Sequence, residues 1–235
     1  MAAQRLPGKP LLKINNLPII SHVVDRAKDS GVGEVVVCAE DKEIVSVVEK
    51  NGGKAILTGS HHKNGTERIY EGIQKLKKKG IDFVLSLQGD EPTVEPKDIV
   101  RLNNLMIENN AEIGTLAAEI KNESMMKNRN VVKVITKEKL NNYNFAKASN
   151  FLRIYESKEN LNIYHHIGIY CYKFSILEKF VALGQTENEI KNSLEQLRAL
   201  DNNININVAL ASTSPIGIDT NEDYLELKKI MEYKL

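Results

Sequence analysis

Short apolar runs alternate with amphipathic stretches of helical spacing through residues 18–87, and few folds accept that rhythm. Ile19, Ile20, Val23, Val24 and Ala27 recur at helical spacing and predict a helix over 18–30, stopped by Gly31. The run 34–39 is continuous and β-rich, as a strand covered on both faces should be. Asp41 is placed to cap a second helix running to residue 50, which Asn51-Gly52-Gly53 ends. A short strand at 54–57 follows, then a helix over 66–79 with Ile69, Ile73 and Leu76 on one face, then a strand over 81–87. Such alternation predicts an α/β fold whose sheet is mostly parallel, with helices on both faces. In sheets of that kind ligands bind beyond the carboxyl ends of the strands. The polar clusters at 58–67 and 88–92 therefore belong to the binding face.

The second half is less regular. Strands are expected over 131–136, 168–172 and 204–209, and helices over 175–183, 190–201 and 221–233. The stretch 137–165 is polar and rich in asparagine. It reads as an excursion from one domain spanning 1–235, used in dimerisation.

Charge excludes two function classes. The 235 residues carry 32 basic and 31 acidic side chains, a net charge of +1, so neither nucleic acid nor an anionic membrane surface is an expected partner. No apolar run is long enough to span a bilayer, and no leader with a basic start and apolar centre opens the sequence. A cytoplasmic protein is expected. Cys38 and Cys171 lie in apolar runs without metal or disulfide spacing and are expected as reduced core thiols. No Gly-x-Gly-x-x-Gly follows a strand, which argues against a dinucleotide-dependent dehydrogenase.

Several segments carry chemistry. In Arg5-Leu6-Pro7-Gly8-Lys9-Pro10 a glycine admits close approach of a ligand, two prolines stiffen the path, and Arg5 and Lys9 supply cationic donors for phosphate oxygens. Ser86-Leu87-Gln88-Gly89-Asp90-Glu91-Pro92 puts the Asp90 carboxylate just past a buried strand, where Mg²⁺ is commonly held beside substrate phosphates. Asp219, in Gly217-Ile218-Asp219-Thr220, offers a second carboxylate, although acids are also expected in the first turn of the helix that follows. Lys63-Asn64-Gly65-Thr66-Glu67-Arg68 offers amides, a hydroxyl and a guanidinium at a helix N-terminus, suited to an anion. Adjacent His165 and His166 on a strand point to opposite faces, which disfavours zinc but leaves one free to donate to an acidic substrate. Glu195-Gln196-Leu197-Arg198 can orient a polyhydroxylated ligand, against the default of an exposed helical face.

In sequence order, these segments resemble the 3-deoxy-manno-octulosonate cytidylyltransferases, the CMP-Kdo synthetases of lipopolysaccharide biosynthesis. The resemblance rests on Arg-Leu-Pro-Gly-Lys-Pro-Leu (5–11), Asn-Gly-Thr-Glu-Arg (64–68), Gln-Gly-Asp-Glu-Pro (88–92), Asn-Arg-Asn-Val-Val-Lys-Val (128–134), His-Ile-Gly-Ile-Tyr (166–170), Leu-Glu-Gln-Leu-Arg (194–198) and Gly-Ile-Asp-Thr-Asn-Glu-Asp (217–223). It implies a Rossmann-like nucleotidyltransferase, usually a homodimer, acting on CTP and the acidic sugar Kdo with Mg²⁺. It implies that Arg5, Gly8 and Lys9 bind the triphosphate and that Asp90 and Asp219 hold the magnesium. Gly65, Thr66 and Arg68 would surround the nucleotide, and Gln88, His166, Tyr170, Glu195 and Gln196 the sugar acid. The chain departs from the family in three places. A first strand ending in Pro-Ala-Arg does not precede the Arg5–Lys9 loop, Ala3 stands where the family has serine, and Phe145-Ala146-Lys147 replaces Phe-Ser-Arg. From the first departure, a chain starting at Met1 is expected to be poorly soluble or inactive. A CMP-sialic acid synthetase-like enzyme, or a relative that folds without turnover, are the competing readings.

Overall fold

Local chemistry sets the elements of unit after unit in a computed structural model that describes residues 6–156, 159, 161–218 and 220–232. Gly8 sits at φ +72°, a conformation glycine adopts without strain, and turns the chain into a 3₁₀ turn, Lys9–Leu11. A hairpin of β1 (Lys13–Ile14) and β2 (Leu17–Pro18) follows, its tight turn made by Asn15 and Asn16, both left-handed. Helix α1 (Ile19–Ser30) ends where Gly31 takes φ +65°. Strand β3 (Val37–Ala39) leads to α2 (Lys42–Lys50), whose first turn is capped as expected, the Asp41 carboxylate accepting from the Glu43 amide at 2.7 Å. Strand β4 (Ala55–Leu57) is followed by α3 (Gly65–Leu76), which stops three residues short of the expected 79 because Lys77 is left-handed, at φ +51°.

After β5 (Phe83–Ser86) come α4 (Pro96–Glu108), β6 (Ile113–Ala118) and α5 (Glu123–Lys127), none of the last three anticipated from sequence. The rest is β7 (Lys133–Thr136), β8 (Ala146–Leu152), β9 (Asn162–Lys173), α6 (Phe174–Ala182), α7 (Glu187–Asn192), α8 (Leu197–Asp201), β10 (Ile206–Leu210) and α9 (Asn221–Glu232). The single helix expected over 190–201 is two, because Ser193 turns left-handed at φ +53° between α7 and α8.

The chain divides into two compact units. The first comprises residues 1–79, 87–100 and 215–235, and the second 80–86 and 101–214. In the first, β3 and β4 pair in parallel, and a separate apolar cluster of Ile14, Ile19, Ile218 and Leu227 is covered by Leu6, Leu12, Ile216, Tyr224 and Met231. This cluster holds the turn after Gly8 and the segment 216–218 against the same core.

The second unit is a sheet ordered β5-β9-β6-β10-β8-β7, and β7 also pairs with β9. The α/β class stands, but strand direction corrects the expectation of a mostly parallel sheet. Among the described residues β3–β4 and β6–β10 are parallel. The pairs β5–β9, β6–β9, β7–β8, β7–β9 and β8–β10 are antiparallel. The cause is β9, whose twelve residues run against three neighbours. Antiparallel neighbours need no crossover helix, so this part of the chain escapes the β-α-β rhythm. The stretch 137–165 contributes β8 and the first residues of β9 to this sheet. Cys38 is half-buried and Cys171 fully buried, both as free thiols, and burial raises them to about 11 and about 12. Among the described residues no helix is long and apolar enough to cross a membrane.

Candidate active site

Lys9 and Asp90 meet, although eighty residues of chain lie between them. The Lys9 ammonium forms an ion pair with the Asp90 carboxylate and also donates to the Ile218 carbonyl at 2.8 Å. The Ile218 amide in turn donates to the Asp90 carbonyl at 3.2 Å. Three separated segments are thereby joined at one node by side chain and backbone together. The Lys9 and Asp90 side chains keep 14% and 18% of their exposure, enough to reach a ligand while partly shielded from water. Gly89 is tightly packed, since a Cβ there would lie 2.9 Å from Ile20 Cδ1. Arg5 and Asp219 lie outside the described residues, yet Ile218 fixes the backbone immediately before Asp219. Gln88 is exposed, and its carbonyl accepts from the Glu91 amide at 3.4 Å, closing the turn that presents Asp90.

The start of α3 is a second polar centre in the same unit. Asn64 caps the helix by accepting from the Glu67 amide at 2.9 Å, and Glu67 reaches back to the Lys63 amide at 2.9 Å. Gly65 opens the helix with empty space where a Cβ would stand, and Thr66 is buried. Arg68 turns toward the protein. Its guanidinium donates to Thr58 Oγ1 at 2.9 Å and the Gly59 carbonyl at 3.1 Å, and pairs with Glu40.

In the second unit, His166 and Tyr170 stand with ring centroids 5.4 Å apart. Four residues along a regular strand span about 13 Å. Here the pairing of β6 with β9 slips between Thr115 and Leu116, and the irregularity brings the two rings together. The Thr115 hydroxyl holds it, lying 2.7 Å from the Ile169 carbonyl and 3.0 Å from His166 Nε2. A hydroxyl has one proton. If Thr115 donates to Ile169, the His166 Nε2–H must donate to Thr115, which leaves Nδ1 as the acceptor. Burial, with the neighbouring His165 adding to it, lowers His166 to about 3, so this imidazole is neutral at pH 7. Burial also raises the Tyr170 hydroxyl well above its ordinary value, and the charges of Tyr172 and Glu195 push the same way. Glu195 is thus near Tyr170. Gln196 is buried and stands at the N-cap of α8.

The expected residues accordingly fall into two groups. Gly8, Lys9, Gly65, Thr66, Arg68, Gln88 and Asp90 belong to the first unit, and His166, Tyr170, Glu195 and Gln196 to the second. The expectation of an exposed face at 195–198 is corrected, since Gln196, Leu197 and Arg198 are buried. Arg198 pairs with Glu189, its Nε at 2.8 Å and Nη2 at 2.5 Å, and stacks 4.8 Å above the Phe180 ring. Burial alone would raise Glu189, but hydrogen bonds from Arg198 and Gln185 outweigh it and hold the carboxyl low. Sequence reading also missed Lys133, fully buried, which donates to the carbonyls of Asn128, Val131 and Arg153 at 2.7–2.8 Å. Three acceptors exhaust its three donors, and burial lowers its pKa. A lysine inside the run Val131-Val132-Lys133-Val134-Ile135 was the available signal.

Comparison with known proteins identifies the family. A family model described as cytidylyltransferase matches residues 1–206. A 3-deoxy-manno-octulosonate cytidylyltransferase of Thermodesulfovibrio yellowstonii is 43% identical over 231 residues, 93% of this chain and 90% of that protein. The protein of the same description from Brucella anthropi is 42% identical over 225 residues, 95% of this chain and 90% of that one. A solved CMP:2-keto-3-deoxy-manno-octonic acid synthetase complexed with CTP superposes with a TM-score of 0.88 at 32% identity, covering 99% of this chain and 95% of that one. An apo UDP-glucose pyrophosphorylase, at 15% identity and a TM-score of 0.71, shares the fold.

Proposed function

The chain belongs to the 3-deoxy-manno-octulosonate cytidylyltransferases, and on that premise we propose that it transfers CMP from CTP to the anomeric hydroxyl of Kdo. The anomeric oxygen attacks the α-phosphorus in line and gives up its proton, the bond from that phosphorus to the β-phosphate oxygen breaks, and pyrophosphate leaves. The observation that carries this reading is the node of Lys9, Asp90 and Ile218. A sugar carboxylate and a triphosphate repel each other, so positioning and charge neutralisation dominate such transfers.

Lys9 supplies the first cation, at the turn that Gly8 makes possible. Arg5 supplies the second. Asp90 offers hard carboxylate oxygens just past β5, the donor type that Mg²⁺ prefers, and with Asp219 would hold the ion. When bound, Mg²⁺ neutralises charge on the phosphates. Gly65 and Thr66 present the start of α3 to the nucleotide, while Arg68 braces the loop before it through Thr58 and Gly59. Of the residues that the resemblance assigns to the sugar acid, Gln88 lies in the first unit and His166, Tyr170, Glu195 and Gln196 lie in the second. His166 is a neutral group with a fixed tautomer, and Tyr170 a protonated donor.

The enzyme acts as a cytoplasmic homodimer in this reading, with 137–165 in the dimer contact, where Tyr143 is 93% exposed. Neither nucleic acid nor membrane is a partner. Pyrophosphate release with Kdo, Mg²⁺ and either CTP or UTP tests the proposal. CTP is expected to be preferred strongly. Equal rates with UTP point to another nucleotidyltransferase, and a folded chain without turnover points to a non-catalytic relative.

A further inference from the structure

The loop ahead of α3 gathers three groups that the transfer reaction does not use. His61, His62 and Glu71 each bring one donor atom to a cluster in which all three lie within 4.8 Å of one another. His62 Nε2 is hydrogen-bonded to Glu71 Oε2. That same oxygen takes the Gly59 amide at 2.9 Å, while Lys75 pairs with the other oxygen, Oε1, at 2.6 Å. Glu71 is thus held by three groups and lowered to about 2, chiefly by the bonds from Lys75 and His62. The His61 ring lies against His62, centroids 4.3 Å apart. A Cβ at residue 59 would stand 2.5 Å from His61 Nδ1 and 3.5 Å from Glu71 Oε2, so the glycine leaves room for the ring where it now lies.

We propose that His61, His62 and Glu71 form a site for a divalent transition metal of the zinc class. Two imidazoles with one carboxylate suit zinc, nickel or cobalt, whereas magnesium and calcium favour all-oxygen sets. Tetrahedral zinc, with bonds of about 2.0–2.1 Å, needs ligand atoms about 3.3 Å apart. Side-chain torsion of the exposed His61 supplies that closure. The ion takes the place of the proton shared by His62 and Glu71, and that proton goes to solvent. Glu71 Oε2 is the ligand, because Lys75 already engages Oε1. The Gly59 amide and Lys75 then act as the supporting hydrogen bonds that orient it. Three protein ligands leave a fourth position for water. The consequence is a clasp joining residues 59–62 to the second turn of α3.

The test needs no turnover. Full-length protein stripped with EDTA is titrated with Zn²⁺ by calorimetry in excess Mg²⁺, and with Co²⁺ by visible absorption. About one zinc per chain is expected, with cobalt giving tetrahedral d–d bands. Asp90→Ala is expected to bind zinc as the wild type does. His61→Ala, which removes an exposed side chain, and Glu71→Gln are each expected to weaken binding by at least roughly 10–100-fold. Circular dichroism of each variant confirms the fold. No saturable binding by the wild type, or undiminished binding by both His61→Ala and Glu71→Gln, overturns the proposal.

Discussion

The two units treat polar groups in opposite ways. In the unit of Lys9 and Asp90, charges meet in pairs that stay partly exposed, such as Lys9–Asp90 and Arg68–Glu40. In the unit of His166 and Tyr170, several polar groups are instead buried, and these are neutral, as His166 is, or matched, as Arg198–Glu189 and Lys133 are. The difference separates two tasks. A partly exposed ion pair can exchange one partner for a phosphate at little cost, because its charges are never fully desolvated. A buried, matched group can exchange nothing without leaving its partner stranded, so it holds geometry.

The largest effect that would break this comparison is on stability. Arg198→Met is expected to cost about 3–5 kcal/mol in urea unfolding, because Glu189 would remain buried without its counter-charge. Arg198→Met with Glu189→Leu is expected to recover much of that loss. A single-variant cost below about 1 kcal/mol would place the pair with the dispensable surface bridges.

Asp90→Ala tests the opposite character in the first unit. Turnover is expected to fall roughly 10²-fold or more, with the unfolding midpoint little changed. Activity within a few-fold of wild type, with unaltered magnesium dependence, would remove Asp90 from the reaction.

The smallest expected effect sharpens the contrast through pH. His166 titrates near 3 when folded, against an ordinary imidazole value near 6.5 when unfolded. Between these values the unfolded chain binds the extra proton. Stability from the neutral ring is therefore complete above about pH 6.5 and declines as the pH falls toward 3. From pH 7 to 5.5 the wild type should lose about 1 kcal/mol more than His166→Gln, measured by urea unfolding. Equal losses would show that the ring is hydrated.

Much of this was legible in the residues. Alternation, Asp41 as a cap, and Gly31 as a stop are local signals, and local physics decides them. The Gly8–Lys9 turn and Asp90 were recognisable because their residue types have few other uses in combination. Strand direction was not legible, since β9 owes its partners to contacts far away in sequence. The buried face of α8 was misread for a related reason. A guanidinium looks like a surface group until Glu189, nine residues earlier, is brought against it. His61, His62 and Glu71 carry a weak sequence signal, and only the loop at Gly59 folds them together.

Pairing of β7 with both β8 and β9 means that β9, β6, β10, β8 and β7 form a closed circuit. A circuit has no end from which to fray. Amide exchange from these strands therefore waits for rupture of a seam rather than for peeling of an edge. One seam, β6 with β10, joins residues 113–117 to 206–210, so the circuit cannot close until most of its chain has been made. His166 and Tyr170 lie on β9, one strand of that circuit.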